Sequence, residues 1–302
     1  MFHHFHNENH PVGQGSMSGP EFAAMIDWLA ARYNILGAAE YLNKLKAGTL
    51  APHDICFTFD DALLCQSEIA VPIMREKGIT AYFFVYSSPF MGNPDYLEIY
   101  RYFRTVTFKS VDEFYVAFSN AAQKHHGPEY AAAEQSFDAN EYLKAFPFYT
   151  VPDKWFRYLR DIGLGKDKYE ALMQSLMRDH GFEPLSVMKK LWMDDAGLKA
   201  LEADGHIIGL HSYSHPTVMH RLDKSVQADE YAKNHAHLSR VLTQPIVAMS
   251  HPCGNYNADT LDILNGMGIE IGFRSNNSVT DIKSHLEIPR EDHANVMKEM
   301  AS

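Results

Sequence analysis

Two adjacent carboxylates, Asp60 and Asp61, end a short β-favouring run, Ile55-Cys56-Phe57-Thr58-Phe59. Neighbouring carboxylates repel each other unless a proton or a cation separates them. A buried strand reads as an apolar run closed by a polar break, and α/β enzymes carry their chemistry just beyond the carboxyl ends of such strands. A plainer reading has an Asp capping the next helix, a position that Asp favours. Far along the chain, His211 and His215 follow a second apolar run, Ile207 to Leu210, and precede Pro216. Four-residue spacing predicts two imidazoles on one side of a helical turn, able to share a metal. Two neutral imidazoles and one carboxylate suit Zn²⁺ or a similar divalent ion, with one position open for water. The second carboxylate is then free to take a proton from that water.

These residues need a frame of parallel strands. Phe2, His3, His4, Phe5 and His6 alternate as a short first strand with histidines at its end, followed by a polar loop with Gly13, Gly15 and Gly19. Ser18 is placed to cap a helix whose Phe22, Met25, Ile26 and Leu29 fall on one face. A second helix spans Ala38 to Lys46. After Asp61, Ala62 to Lys77 is helical by pattern with Gly78 as its stop, and Thr80 to Tyr86 is a strong strand. Strand, helix and strand make the crossover unit of a parallel sheet. From about 90 to 190 the pattern turns to amphipathic helices, such as Val111 to Gln123 and Tyr169 to His180. That stretch reads as a helical insertion, either packed on the outside or contributing to the substrate cleft. Alternation resumes at Asp194: His206 to Leu210 as strand, Asp223 to Thr243 as helix and Ile246 to Met249 as strand. The turn Ser250-His251-Pro252-Cys253-Gly254, a helix over Thr260 to Met267, a strand over Ile269 to Phe273 and an extended piece over Leu286 to Arg290 complete it. The expectation is one α/β barrel-like domain over residues 1–302 with a helical insertion at about 90–190.

The totals narrow the partners. Across 302 residues, 27 Lys and Arg stand against 38 Asp and Glu, a formal charge of −11. That balance argues against a nucleic-acid backbone or an anionic membrane surface as the main partner. No apolar run reaches the roughly 18 residues of a membrane span, and no basic segment followed by an apolar run marks a signal peptide. Cys56, Cys65 and Cys253 have neither metal-binding spacing nor the even count of a disulfide framework. A reducing, cytoplasmic setting is expected, and the oligomeric state is left open.

Thr58-Phe59-Asp60-Asp61 and His211-Ser212-Tyr213-Ser214-His215 resemble the first two motifs of the NodB-like polysaccharide deacetylases (carbohydrate esterase family 4), in order and in strand-end placement. The resemblance covers roughly residues 50 to 90 and 194 to 293. It implies a distorted (β/α)7 barrel and metal-dependent removal of an N-acetyl group from an amino sugar. The cytoplasmic setting expected above points in turn to a nucleotide-linked or lipid-linked amino sugar, or to a glycan precursor in surface polysaccharide biosynthesis. Asp60 then resembles the catalytic base, and Asp61, His211 and His215 the metal ligands, for Zn²⁺ first and Co²⁺, Ni²⁺ or Mn²⁺ as alternatives. The family's third motif, Arg-x-Pro-x-Gly, is Ser250-His251-Pro252-Cys253-Gly254 here, and Ser cannot supply the fixed charge of Arg. Arg290 is the preferred substitute, with His251 as the other. Pro252 and a backbone N–H near Cys253 are candidates for the oxyanion pocket. The fourth motif, an Asp and Trp pair, has no counterpart around Phe273-Arg274-Ser275. His293, in Pro289-Arg290-Glu291-Asp292-His293, is the candidate for protonating the leaving amine. Two rivals stand beside this reading: an amidase acting on a non-sugar C–N bond, and a degenerate carbohydrate-binding relative motivated by the departures from the motifs.

Overall fold

The apolar runs that precede the candidate residues become neighbouring parallel strands. The computed structural model describes residues 1–93, 96–144, 149–277 and 283–302 and divides into two units, Met1–Asp95 with Met188–Ser302, and Tyr96–Val187. In the first unit, two short parallel pairs, β1 (Phe5–His6) with β2 (Met17–Ser18) and β3 (Asn34–Ile35) with β4 (Asp54–Ile55), precede the main sheet. That sheet has the order β5 (Thr58–Asp60), β6 (Tyr82–Val85), β7 (Ile207–Leu210), β8 (Ala248–Ser250) and β9 (Ile271–Phe273), all parallel. All of its residues but the half-buried Ile207 are buried, as a parallel sheet covered by helices requires.

One further stave lies on each side. Phe2 pairs with Phe59, and Ile288 pairs with Phe273, both in parallel. The two outer staves then meet: the Met1 nitrogen donates to Glu291 O at 2.8 Å, and His293 N donates to Met1 O at 3.2 Å. The sheet is thus a distorted (β/α)7 barrel, five strands closed through two bridge-length staves.

Helices α1 (Gly19–Ala30) and α2 (Ala38–Ala47) come before β5, and α3 (Val71–Glu76) follows it. Helix α1 buries Phe22, Met25, Ile26 and Leu29, and Ser18 with Glu21 forms its capping box, as the periodicity predicts. The helical stretch after Asp61 departs from expectation, because a π-helical turn, Gln66–Ala70, leads into α3. Helices α4 (Tyr96–Thr107), α5 (Val111–His125), α6 (Gly127–Ser136), α7 (Val151–Tyr158) and α8 (Gly165–Asp179) make up the second unit. Its core is aromatic, with Phe114 and Phe118 ring centroids 5.3 and 5.0 Å from that of Phe156. Back in the first unit, α9 (Met188–Leu191) and α10 (Asp195–Ala203) lead to β7, α11 (Lys224–Val241) to β8 and α12 (Ala258–Gly266) to β9, and α13 (His293–Met300) is last.

The pleat sorts the side chains. Asp60 pairs with Phe84, Phe84 with Gly209, and Ser250 with Phe273. Period-two alternation therefore puts Thr58, Asp60, Tyr82, Phe84, Ala248, Ser250, Ile271 and Phe273 on the inner face. Helix α2 packs Ala38, Tyr41 and Leu42 against the apolar members of this face. Gly209 is the tight point: a Cβ there would lie 2.5 Å from Ala248 O and 2.8 Å from the Phe84 ring.

Candidate active site

Asp60 ends β5 on the inner face, 2% exposed. Arg290, two residues beyond Ile288 and so on the same face, clamps it: Nη1 donates to Oδ1 and Nη2 to Oδ2, both at 2.7 Å. The guanidinium is itself held by Nε donating to Arg274 O at 2.5 Å and Nη2 to Ser250 Oγ at 2.8 Å. Ser250 Oγ also donates to Asp60 Oδ2 at 3.3 Å. The hydroxyl at the third motif's Arg position thus bridges the carboxylate and an Arg from another stave. Burial pushes the Asp60 carboxyl up, but the charge and the hydrogen bonds of Arg290 outweigh it. Asp60 therefore titrates below the usual carboxylate range.

Adjacent residues in a strand point to opposite faces, so Asp61 joins the same site only because the strand breaks. Asp61 and Ala62 take φ of 78° and 51°, the left-handed region that Asp tolerates better than most residues. The expected helical turn between the imidazoles is corrected: residues 211–215 form no helix, and Ser212 and His215 take φ of 65° and 55°. These reversals bring the ring centroids of His211 and His215 to 4.9 Å. Asp61 Oδ1 lies 3.6 Å from His211 Nε2 and 3.7 Å from His215 Nε2. Tetrahedral bonds of about 2.1 Å space their ligand atoms about 3.4 Å apart, so the three groups fit a divalent metal. His211 has the right tautomer, since its Nδ1 must donate to Ser250 O at 2.8 Å and leaves Nε2 as a lone pair. Burial lowers the His211 pKa to about 3, which keeps the ring neutral. Among the described residues, Asp61, His211 and His215 are the one His/Cys/Asp/Glu group with ligand atoms all within 4.8 Å. Asp60 Oδ2 lies 3.9 Å from His211 Nε2, beside this set.

The structure places the remaining candidates differently. His293 turns away: its Nε2 donates to Gly15 O at 3.1 Å and its ring stacks on Phe2 at 6.0 Å. It opens α13 behind the outer face of the barrel, because Asp292 caps that helix. The imidazole beside Asp60 is His3, with Nε2 3.8 Å from Oδ2. Phe2 pairs with Phe59, so Met1 and His3 fall on the face of Thr58 and Asp60. Gln66, wholly buried in the π turn, ties this stave down by donating from Nε2 to His3 O at 2.8 Å and to Asp60 O at 2.6 Å. Burial lowers the His3 pKa to about 4, against the pull of Asp60. The only signal for His3 in the sequence is the Phe and His alternation, which shows a strand but not the face it presents. His251 makes no bond to Asp60: it is wholly buried, donates from Nε2 to Leu286 O at 2.8 Å and stacks on Tyr256 at 4.2 Å. Pro252 is buried, while Cys253 is exposed on the turn after β8 with φ of 52°.

The sequence model of the polysaccharide deacetylase family matches residues 169–272, a segment that holds the His211–His215 loop and the 250–254 turn. Over that segment the chain is similar to the polysaccharide deacetylases, in line with the resemblance of its motifs to the NodB-like members. The deacetylase PplD of Streptococcus pyogenes has a similar fold, with 14% identity, a TM-score of 0.54, and coverage of 99% of this chain and 96% of that one. IcaB from Ammonifex degensii aligns with a TM-score of 0.55 at 15% identity, covering 99% and 93%. A de-N-acetylase from Aggregatibacter actinomycetemcomitans gives 0.56 at 12%, covering 99% and 97%. At these identities the three structures and this chain share a fold. No curated protein matches this chain by sequence.

Proposed function

We propose that this chain is a metal-dependent hydrolase that removes an N-acetyl group from an amino sugar of a glycan or glycan precursor, in the making of a surface polysaccharide. The observation that carries this reading is the Arg290-clamped Asp60 carboxylate, 3.9 Å from a ligand nitrogen of the Asp61, His211 and His215 set. A carboxylate kept ionised beside a neutral metal-donor set is a base waiting for a water molecule. The structure of the Streptococcus pyogenes deacetylase PplD in complex with acetate agrees with acetate as the product.

In this reading Asp61, His211 and His215 hold the divalent ion, Zn²⁺ by the chemistry of the donors. When bound, the ion supplies a Lewis acid for the acetamide carbonyl and acidifies the attacking water. Asp60 accepts the proton of that water, and Arg290 holds the carboxylate in position and keeps it charged. The proton that Asp60 accepts passes through His3, whose Nε2 lies 3.8 Å from Asp60 Oδ2, to the departing amine, the role that the sequence assigned to His293. The N–H of Cys253 is the candidate partner for the oxyanion. The missing third-motif Arg, which motivated the non-catalytic rival, loses force because Arg290 bonds Asp60 through both oxygens.

Acetate release from a panel of N-acetylated amino sugars and oligosaccharides, with and without chelator, tests the proposal. Release that stops with chelator and returns with Zn²⁺ or Co²⁺ is expected. No release from any N-acetylated sugar by the metal-loaded protein would refute it.

A further inference from the structure

The turn that brings His211 and His215 together is held from outside by one face of α11. Glu230 and Asn234 are one helical turn apart and His237 follows three residues later, so the three share that face. The Glu230 carboxylate accepts from Tyr213 N at 3.0 Å, from Ser214 N at 2.8 Å and from Ser214 Oγ at 2.8 Å. These donors lie between Ser212 and His215, the residues with φ of 65° and 55°. L residues adopt that conformation at a cost, and it persists where the surroundings over-determine it. Within the turn, His215 N donates to Ser212 Oγ at 3.1 Å.

Asn234, with no exposed surface, works on His211. Its Oδ1 accepts from His211 N at 3.0 Å, while its Nδ2 donates to Val85 O at 2.9 Å and Ser87 Oγ at 2.6 Å. His237 continues the chain, with Nδ1 2.8 Å from Ser87 Oγ and Nε2 2.8 Å from Asp195 Oδ1. The series Ser87, His237 and Asp195 has the residue types of a hydrolytic triad, but Ser87 has no exposed surface and His237 almost none. Its product is position: the amide of His211 is tied to the end of β6 and, through His237, to the start of α10.

We propose that this face of α11 is the positioning device for the His211–His215 pair, with Glu230 holding the left-handed turn and Asn234 fixing the backbone of His211. The proposal rests on the reading of Asp61, His211 and His215 as metal ligands. None of the three α11 residues touches the metal position; they act through the loop, and groups that orient ligands commonly change metal affinity about 10- to 100-fold when removed.

The test is metal affinity of the whole protein, measured with Zn²⁺ by chelator competition, together with the visible absorption of bound Co²⁺. Glu230 is half-buried, so Glu230→Ala is expected to fold, with the metal-free melting temperature within about 2 °C of wild type. It should bind Zn²⁺ at least about tenfold more weakly and alter the Co²⁺ spectrum, whereas Glu230→Gln, which keeps an acceptor for both amides, stays within about threefold. Ser239→Ala, on the exposed side of α11, should match wild type. Wild-type affinity in Glu230→Ala overturns the proposal, as does an equal loss in Glu230→Gln. Asn234→Ala, should it fold, is expected to follow Glu230→Ala. Failure of the wild-type protein to bind either metal ion would refute the ligand reading itself, a result distinct from equal binding by both proteins.

Discussion

Asp60 and Asp61 are chain neighbours with different electrostatic surroundings: a guanidinium clamps Asp60, while Asp61 faces the His211 and His215 imidazoles. That difference underlies the roles proposed for them, and it predicts distinct failures. Asp60→Asn should retain metal by elemental analysis and lose about 10²- to 10⁴-fold in turnover; a near-wild-type rate would show that another group is the base. Removing the clamp with Arg290→Met leaves burial to push the Asp60 carboxyl up, so the pH below which kcat/KM falls should move to higher values. An acid limb in the same place as wild type would mean that Arg290 does not set the ionisation of Asp60. The two histidines are separable by leaving group. His3→Gln should cost about 10²-fold or more on N-acetyl substrates and less than about threefold on p-nitrophenyl acetate, whose phenolate departs without a proton. Equal losses on both would sink the acid role. His293→Gln should leave both rates near wild type, since its imidazole serves Gly15 and Phe2.

At the scale of elements, strands set the face and breaks in them set the chemistry. The non-glycine positive φ values at Asp61, Ala62, Ser212, His215 and Cys253 all lie at the carboxyl ends of β5, β7 and β8. Such conformations cost of order 1–3 kcal/mol each and concentrate at functional sites. Close packing of the strands matters equally. Gly209→Ala would drive a Cβ to within 2.5 Å of Ala248 O and part β7 from β8, the strands that carry His211 and Ser250. A loss of about 1–3 kcal/mol in urea unfolding, with weakened metal binding, is expected. An unchanged unfolding midpoint would mean that the strands can move apart freely.

For the molecule as a whole, buried imidazoles make stability depend on pH. Burial lowers His206 and His251, both away from the metal set, from 6.5 to about 4. Between those values the unfolded chain binds a proton at each that the folded chain refuses. The share of stability from these two histidines should therefore be fully present above about 6.5, fall as pH drops through the window and be lost below about 4, with a slope of at most about 1.4 kcal/mol per pH unit for each histidine. Urea unfolding at a series of pH values measures the slope, and His251→Asn should remove the share of one proton. A slope that the substitution leaves unchanged would show that His251 takes up its proton while folded.

Asp60, Asp61, His211 and His215 were legible in the sequence because their signals are local: an apolar run, an abrupt polar end, and residue types with few other uses in that place. The capped helix α1 was legible for the same reason, as its period of 3.6 residues lies within one element. Arg290 was nominated only by the gap at Ser250, and the pairing of Ile288 with Phe273 is what turns it toward Asp60. His3 and His293 show the limit. Each stands near one end of the chain beside apolar or acidic neighbours, and nothing within either segment separates them. The pairing of Phe2 with Phe59, 57 positions apart, puts His3 on the inner face, while the Asp292 cap turns His293 into α13. Residue type and periodicity are properties of a segment and can be read along it. Register and ring closure depend on which distant segment becomes the neighbour, and a shift of one residue sends a side chain to the opposite face.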